Sequence, residues 1–450
     1  MPVADWSDRR LHFVGIGGAG MSGLALIAHS LRARVTGSDR AESPYLNELR
    51  AVGIEPLIGH AAANVPPGAE VVYSSAILPE NPERIAASPE HGGAGELHRA
   101  DLLAQLAKLK RCLAVTGTHG KTTTTAMLVH VLERCGLDPT YVVGGELRDT
   151  GKNAAWGAGE WIVVEADESD RSLLKLWPEV SVLTSAELDH HATYGSTLDL
   201  NQTLRYFLDR AATAVVWDRP ELLSLAVGAD RVIAYDAEAP RLSSVGASLR
   251  WQGLDVDLRV PGLHNAINAA GALTAAGLLG ADPVAAVTAI ATFTGARRRF
   301  ELLGETEAGA SVYDDYAHHP TEVAAALAAA RTLAPRRLIA VFQPHLYSRT
   351  RALARQFGEA LAAADSCVVL DVYAARERVE DFPGVDGRLV ATAAADAGDG
   401  RTVGWLRSLD AAERWLRSEL RAGDVCLLMG AGDIDSLGHA LVGADGGRTT

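Results

Sequence analysis

Short strand-like runs recur along the chain, many closed by a glycine-rich or acidic turn and followed by an alanine- and leucine-rich stretch. Runs at 11–14, 34–36, 71–73, 112–116, 161–164, 180–184, 338–342, 367–370 and 425–429, with another near Val312, have the length of strands. The stretches 21–31, 102–110 and 264–279 have the length and composition of helices. Alternation of the two predicts α/β layers built on largely parallel sheets.

At 450 residues the chain exceeds one ordinary core, and domains of about 100–200 residues predict two to four, with three the natural first division. The punctuation divides them as 1–108, 109–301 and 302–450, with no internal repeat or low-complexity linker between them. A hydrophobic content of 48% with 22% charged residues lets each domain bury a core.

A net charge of -14 argues against nucleic acid as a partner, because phosphate neutralisation needs a basic surface. An anionic substrate must then meet a local cluster of cations. The cysteines Cys112, Cys135, Cys367 and Cys426 have neither metal-ligand nor redox-motif spacing and read as reduced thiols of a cytosolic protein. No apolar signal core opens the sequence, and no uncharged run approaches the roughly 20 residues of a membrane span. A cytoplasmic protein without membrane partners is expected, ordered except around residues 446–450, and a monomer or weak homodimer.

The strand 112–115 runs into Thr116-Gly117-Thr118-His119-Gly120-Lys121-Thr122-Thr123-Thr124 and then into a helix. Small residues let backbone N–H groups converge on an anion, the helix N-terminus adds its dipole, and Lys121 adds a point charge. Thr122 would place its hydroxyl on Mg²⁺. Val115 stands where the general phosphate-loop pattern has its first glycine. An ordinary glycine-rich turn is the bland alternative, but Gly-Lys-Thr-Thr at a helix start is hard to explain without phosphate.

A burst of carboxylates, Glu165, Asp167, Glu168 and Asp170, follows the apolar run 161–164. Ligands of open α/β sheets gather at such strand ends, so one carboxylate could hold Mg²⁺. A solvated acidic turn is a stronger rival for Asp167 and Asp170 than for Glu165. Nearer the N-terminus, Gly15-Ile16-Gly17-Gly18-Ala19-Gly20 followed by Asp39 fits a dinucleotide fingerprint and, alone, would favour an NAD-dependent oxidoreductase. The second phosphate loop, and the lack of an evident hydride-transfer site, count against that reading. A non-catalytic nucleotide-binding subunit fits poorly with so many reactive elements.

The shortened loop Thr-Gly-Thr-His-Gly-Lys-Thr-Thr-Thr-Thr resembles that of the Mur ligases, ATP-dependent enzymes that add amino acids to peptidoglycan precursors. So do Glu165, Asp189-His190, the segment 261–270 with Asn265 and Asn268, Arg297-Arg298-Arg299-Phe300, and Asp315-Tyr316-Ala317-His318-His319-Pro320. The resemblance runs from about Gly15 to Asp433 and implies an N-terminal Rossmann-like UDP-binding domain, a central phosphate-loop ATPase-like domain and a C-terminal Rossmann-like domain. Two narrower motifs, the double histidine and Gln343-Pro344-His345-Leu346-Tyr347-Ser348-Arg349-Thr350, are similar to the alanine-adding branch. UDP-N-acetylmuramate and L-alanine would then be the substrates, ATP and Mg²⁺ the cofactors.

The resemblance also implies roles for single residues. Gly117, Thr118, His119, Gly120, Lys121, Thr122 and Thr123 would cradle ATP, and Asn265, Asn268 and Arg298 would line its site. Thr122, Glu165 and His190 would hold metal. Lys121, Glu165, His190, His318 and Arg299 would act in catalysis, with Arg298 an alternative to Arg299 at the transferring phosphate. Gly17, Gly18, Ala19, Gly20, Ser38, Asp39 and Ser74 would bind the UDP part. Tyr316, His318, Arg349 and Arg351 would face the amino acid or a carboxylate or phosphate, with His318 either a base or a positioning group. Three departures stand out. Ser185 replaces an expected asparagine, Leu346 replaces an expected arginine, and no lysine follows Lys175, which excludes the carbamylated lysine of other branches.

Overall fold

A computed structural model describes residues 6–190, 193–398 and 400–443. The terminal segment 446–450, expected to be disordered, lies outside the described residues. The chain forms two compact units, one of Met1–Ala186, Leu198–Asp236 and Gly271–Ala286, the other of Glu187–Thr197, Ala237–Ala270 and Val287–Thr450.

The first unit holds two sheets. One is five-stranded and parallel, in the order Leu57–Ile58, Arg34–Asp39, Arg10–Val14, Glu70–Tyr73, Glu96–His98. Leu11, Phe13, Val71 and Val72 are fully buried in it. The other has seven strands in the order Arg231–Tyr235, Thr213–Trp217, Val180–Leu183, Arg111–Thr116, Trp161–Glu165, Thr140–Val142, Ala154–Ala155, parallel except for the last. Its middle strands are apolar at nearly every position because both faces are covered, as parallel sheets require.

The second unit contains a six-stranded sheet in the order Glu301–Glu305, Ser311–Asp315, Val425–Met429, Leu338–Phe342, Ser366–Leu370, Thr402–Leu406, with the first pair antiparallel. Leu338, Ala340 and Phe342 pack on one face with Val323, Leu327 and Phe357, while Ile339 and Val341 pack on the other with Leu416 and Leu437. This period-two division fills both sides of the sheet. A separate antiparallel sheet, Glu238–Ser243, Gly246–Trp251 and Leu254–Leu258, was not expected from the sequence. Among the described residues no helix is long and apolar enough to cross a membrane.

Candidate active site

Three adjacent strands of the seven-stranded sheet deliver the central chemistry at their C-terminal ends, where ligands of such sheets gather. Strand Arg111–Thr116 enters the phosphate loop, which ends in the helix Lys121–Arg134. Gly117 has φ +132°, and a Cβ there would sit 2.7 Å from the Ser185 nitrogen, so the close approach needs glycine. Gly120 opens the helix with φ +80°. The Thr118 N–H donates to the Ser185 carbonyl (3.3 Å) and the His119 N–H to the Ser185 hydroxyl (2.7 Å). The serine that replaces asparagine therefore braces the loop with its own oxygens.

Lys121 folds back over this loop. Its Nζ donates to the carbonyls of Gly117 (2.6 Å) and Thr118 (3.1 Å) and lies 2.9 Å from Glu168, which is 1% exposed. Burial works against the ammonium charge, but Glu168, Asp167 and Glu165 outweigh it and leave the lysine pKa raised. Thr122 is buried in the first helical turn and Thr123 half-buried beside it.

Glu165 ends the neighbouring strand. Its Oε1 accepts from the Thr122 hydroxyl (3.0 Å) and its Oε2 from the Gly144 N–H (2.7 Å). A Cβ on Gly144 would lie 2.6 Å from Oε1, so glycine is what lets the carboxylate sit there. A hydroxyl and a carboxylate placed together make an all-oxygen donor set that suits Mg²⁺.

Asp167 and Asp170 are not a solvated turn. Arg99, which opens a helix after the last strand of the five-stranded sheet, reaches both, at 2.9 and 3.1 Å. The Ser75 hydroxyl also donates to Asp170 at 3.0 Å. Burial pushes the Asp167 carboxyl up, but Arg99 and Lys121 prevail and hold it down at about 2. Arg99 and Ser75 escaped the sequence reading, and Glu168, named there only as one of the acidic run, is the buried partner of Lys121. The acidic run signals Glu168, while Arg99 carries no motif.

The first glycine motif is seated on the end of strand Arg34–Asp39. The N–H groups of Gly15 and Ile16 donate to the Ser38 carbonyl (2.8 and 3.0 Å), and that of Gly17 to Asp39 Oδ2 (2.8 Å). A Cβ on Gly17 would lie 2.7 Å from Ser43 Oγ. Gly18 caps the helix that Ala19 and Gly20 begin, and Ser74 follows strand Glu70–Tyr73 at the same sheet edge. Asp39 faces the glycine loop, whereas the Ser38 hydroxyl turns inward to Glu83 and His60 and is closed to solvent.

The second unit gathers the remaining residues. Arg349 and Asp189 form a bidentate pair at 2.8 and 3.0 Å, and Arg349 Nη1 meets His345 Nδ1 at 3.2 Å. Burial would raise the Asp189 carboxyl, but Arg349 and then His190 hold it far below the usual carboxylate range. His190 adopts φ +53°, with its N–H donated to Asp189 Oδ1 (2.7 Å) and its ring Nε2 at 3.6 Å from Asp189 Oδ2. Arg351 stacks over Phe382 at 5.1 Å, apart from Arg349's partners. Leu346, in the expected arginine place, is buried with φ +70° and caps the helix Tyr347–Leu361.

Arg298 is committed to the fold: its guanidinium bonds to Asp314 (3.0 Å) and to the carbonyls of Gly430 and Gly432 (2.9 Å each). Arg299 lies over the Tyr316 ring at 5.1 Å. Asp315 fixes this turn by accepting from the N–H groups of Phe300 (2.8 Å) and Ala317 (2.7 Å). His318 Nδ1 donates to the Tyr316 carbonyl at 2.8 Å, which leaves Nε2 as the acceptor, and its ring stands edge-on to His345 at 6.0 Å. Burial lowers its pKa to about 4. Asn265 donates to the Pro261 carbonyl (2.7 Å) and, like Asn268, is buried on the helix Leu263–Leu278.

Comparison with known proteins bears on this arrangement. The chain matches the catalytic domain of the Mur ligase family over residues 10–111, the Mur ligase middle domain over 115–276 and the Mur ligase glutamate ligase domain over 298–432. It is 43% identical to the UDP-N-acetylmuramate–L-alanine ligase of Streptomyces coelicolor, covering 96% of this chain and 97% of that one. Likeness to the enzyme of that name from Mycolicibacterium smegmatis is also 43%, over 96% and 94% of the two chains. Among solved structures, the UDP-N-acetylmuramate–alanine ligase of Thermotoga maritima superposes with a TM-score of 0.82 at 29% identity, over 96% of this chain and 98% of that one. A murein peptide ligase from Psychrobacter arcticus shares the fold, with a TM-score of 0.71 at 24% identity over 98% and 100% of the chains. The phosphate loop, the carboxylate edge and the tyrosine–histidine turn thus sit in a chain that belongs to the Mur ligase family.

Proposed function

We propose that the chain joins L-alanine to UDP-N-acetylmuramate at the expense of ATP, giving UDP-N-acetylmuramoyl-L-alanine, ADP and phosphate, in the cytoplasm. The observation that carries this reading is the lysine-bearing phosphate loop with Glu165 on the Thr122 hydroxyl, in a chain alike over nearly its whole length to ligases of that name. The division into domains 1–108, 109–301 and 302–450 is part of the same proposal.

The substrate carboxylate attacks the γ-phosphorus, the bond to the ADP oxygen breaks, and an acyl phosphate forms. The alanine amine, as the free base, then attacks the acyl carbon, phosphate leaves, and the proton lost from nitrogen passes to the departing phosphate. Lys121, charged and held at the loop, stabilises the transferring group electrostatically. Thr122 and Glu165 would hold Mg²⁺, which would supply charge neutralisation there, and His190 is assigned as a metal ligand. Of the two arginines, Arg299 is assigned to the phosphoryl group, because the Arg298 fork is taken up by Asp314, Gly430 and Gly432. His318 orients the amine through Nε2. A ring with a pKa of about 4 is too weak a base to store the ammonium proton at neutral pH.

The Gly17–Gly20 turn with Asp39 and Ser74 is assigned to the UDP group, and Asn265 and Asn268 to the adenine side. Tyr316 is assigned to the amino acid. The test is phosphate release from ATP and Mg²⁺ with UDP-N-acetylmuramate, with and without L-alanine. Release that needs both co-substrates is expected. Release that needs a short peptide in place of alanine would move the chain to the peptide-adding ligases, and tight NADH binding without release would sink the ligase reading.

A further inference from the structure

Beneath the first glycine loop lies a buried acid that the ligation chemistry does not use. Glu83, on the short helix Pro82–Ala86, has no solvent exposure, yet both of its carboxylate oxygens are engaged. Oε2 accepts from the Ser38 hydroxyl at 2.5 Å and faces His12 Nε2 at 3.3 Å and His60 Nδ1 at 3.6 Å. Oε1 accepts from Asn64 Nδ2 at 2.6 Å and from the Ala61 N–H at 3.1 Å. Burial alone would push this carboxyl up, but the bonds from His12, Ser38, Asn64 and Ala61 outweigh it and hold it down at about 2. The group is therefore an anion in the interior, stabilised by donors from two strands and one loop.

The residues tied to Glu83 are the ones that seat the nucleotide end of the sheet. Ser38 donates its hydroxyl to Glu83 while its carbonyl accepts from the Gly15 and Ile16 N–H groups. Asp39, the next residue, takes the Gly17 N–H on its side chain and the Gly59 N–H on its carbonyl, at 2.8 and 2.7 Å. Asn64 reaches both Glu83 and the Gly59 carbonyl, the latter at 3.0 Å. One carboxylate thus fixes the loops 15–20 and 59–64 against each other at the strand ends where a nucleotide enters.

We propose that Glu83 is a positioning residue for the UDP end of the substrate, holding the loops 15–20 and 59–64 at the separation that group requires without touching it. The proposal rests on the ligase reading above. Steady-state kinetics of the full chain test it, with each substrate varied in turn for Glu83→Gln and Ser38→Ala. Glu83→Gln keeps the shape but turns one acceptor into a donor, so the KM for UDP-N-acetylmuramate should rise about tenfold. The KM values for ATP and L-alanine, and kcat at saturation, should stay within about twofold. Ser38→Ala, which deletes one hydrogen bond, should move the same KM about threefold. An unchanged KM for UDP-N-acetylmuramate, or an equal rise in all three KM values, would overturn the proposal. If circular dichroism shows that Glu83→Gln does not fold, Ser38→Ala decides. Calorimetry with UDP separates the two readings: a parent chain that binds UDP but releases no phosphate sinks the ligase, while the loss of UDP affinity in the variants still tests Glu83.

Discussion

Arg349 grips Asp189 through two parallel hydrogen bonds, Nε to Oδ1 at 2.8 Å and Nη2 to Oδ2 at 3.0 Å, with side chains only 3% and 2% exposed. Removing one partner leaves the other as an uncompensated buried charge, the costly way to break such a pair. Asp189→Ala should therefore lower the unfolding free energy by about 3 kcal/mol. The double change Asp189→Leu with Arg349→Met should cost less than either single change, as read from urea unfolding at neutral pH. Because the folded carboxyl pKa is depressed, this stabilisation is present above an unfolded value of about 3.9 and is lost as the pH falls through the folded value. Additive costs in the double variant would mean that the two side chains act separately.

Lys121 brings a positive charge to the phosphate loop with Glu168 against it. Lys121→Met keeps the stem but removes the charge at the transferring phosphate, so turnover should fall by at least about a thousandfold. Turnover within about tenfold of the parent, measured as phosphate release, would remove Lys121 from the mechanism.

Glu165 meets Thr122 through one oxygen and the Gly144 backbone through the other. Glu165→Ala should abolish Mg²⁺-dependent turnover while the circular dichroism spectrum persists. The milder Glu165→Gln should raise the Mg²⁺ concentration for half-maximal rate by about tenfold or more. A near-normal kcat for Glu165→Ala at ordinary Mg²⁺ would sink the assignment.

The strands that carry the site were legible because each is an apolar run with the length of a strand, closed by a turn of unusual composition. The phosphate loop, Glu165 and the Tyr316–His318 turn follow directly from such runs. Pairing across the chain was not legible. Arg349 is 160 residues from Asp189, and Arg99 is 68 from Asp167, so nothing local marks either partnership. The inward turn of Ser38 was hidden likewise, since Glu83 lies 45 residues away. The sheet Glu238–Leu258 escaped because its first strand is exposed along its whole length and offers no apolar periodicity. Arg298 and Arg299 look equivalent in sequence and separate only once the carbonyls of Gly430 and Gly432 are placed.

Three imidazoles in the second unit make it sensitive to acid. Burial lowers His264 and His318 to about 4 and His345 to about 3. The unfolded chain takes up these protons near pH 6.5, well before the folded chain does. Each histidine therefore contributes stability that is present above about pH 6.5 and is lost as the pH falls through the folded value. Asp314 and Asp315 pull the other way, because burial raises them to about 7 and about 6, and their contribution is lost as the pH rises through those values. The net slope mixes both sets, so the informative quantity is a difference between variants. His264→Gln should flatten the dependence of unfolding free energy on pH by about one proton between pH 4.5 and 6. Its ring lies against Gly262, with Glu322 and Arg299 as the charged groups that act on it. Denaturant titrations of parent and variant at several pH values in that window give the slope, and equal slopes would mean that His264 protonates in the folded chain as freely as in the unfolded one.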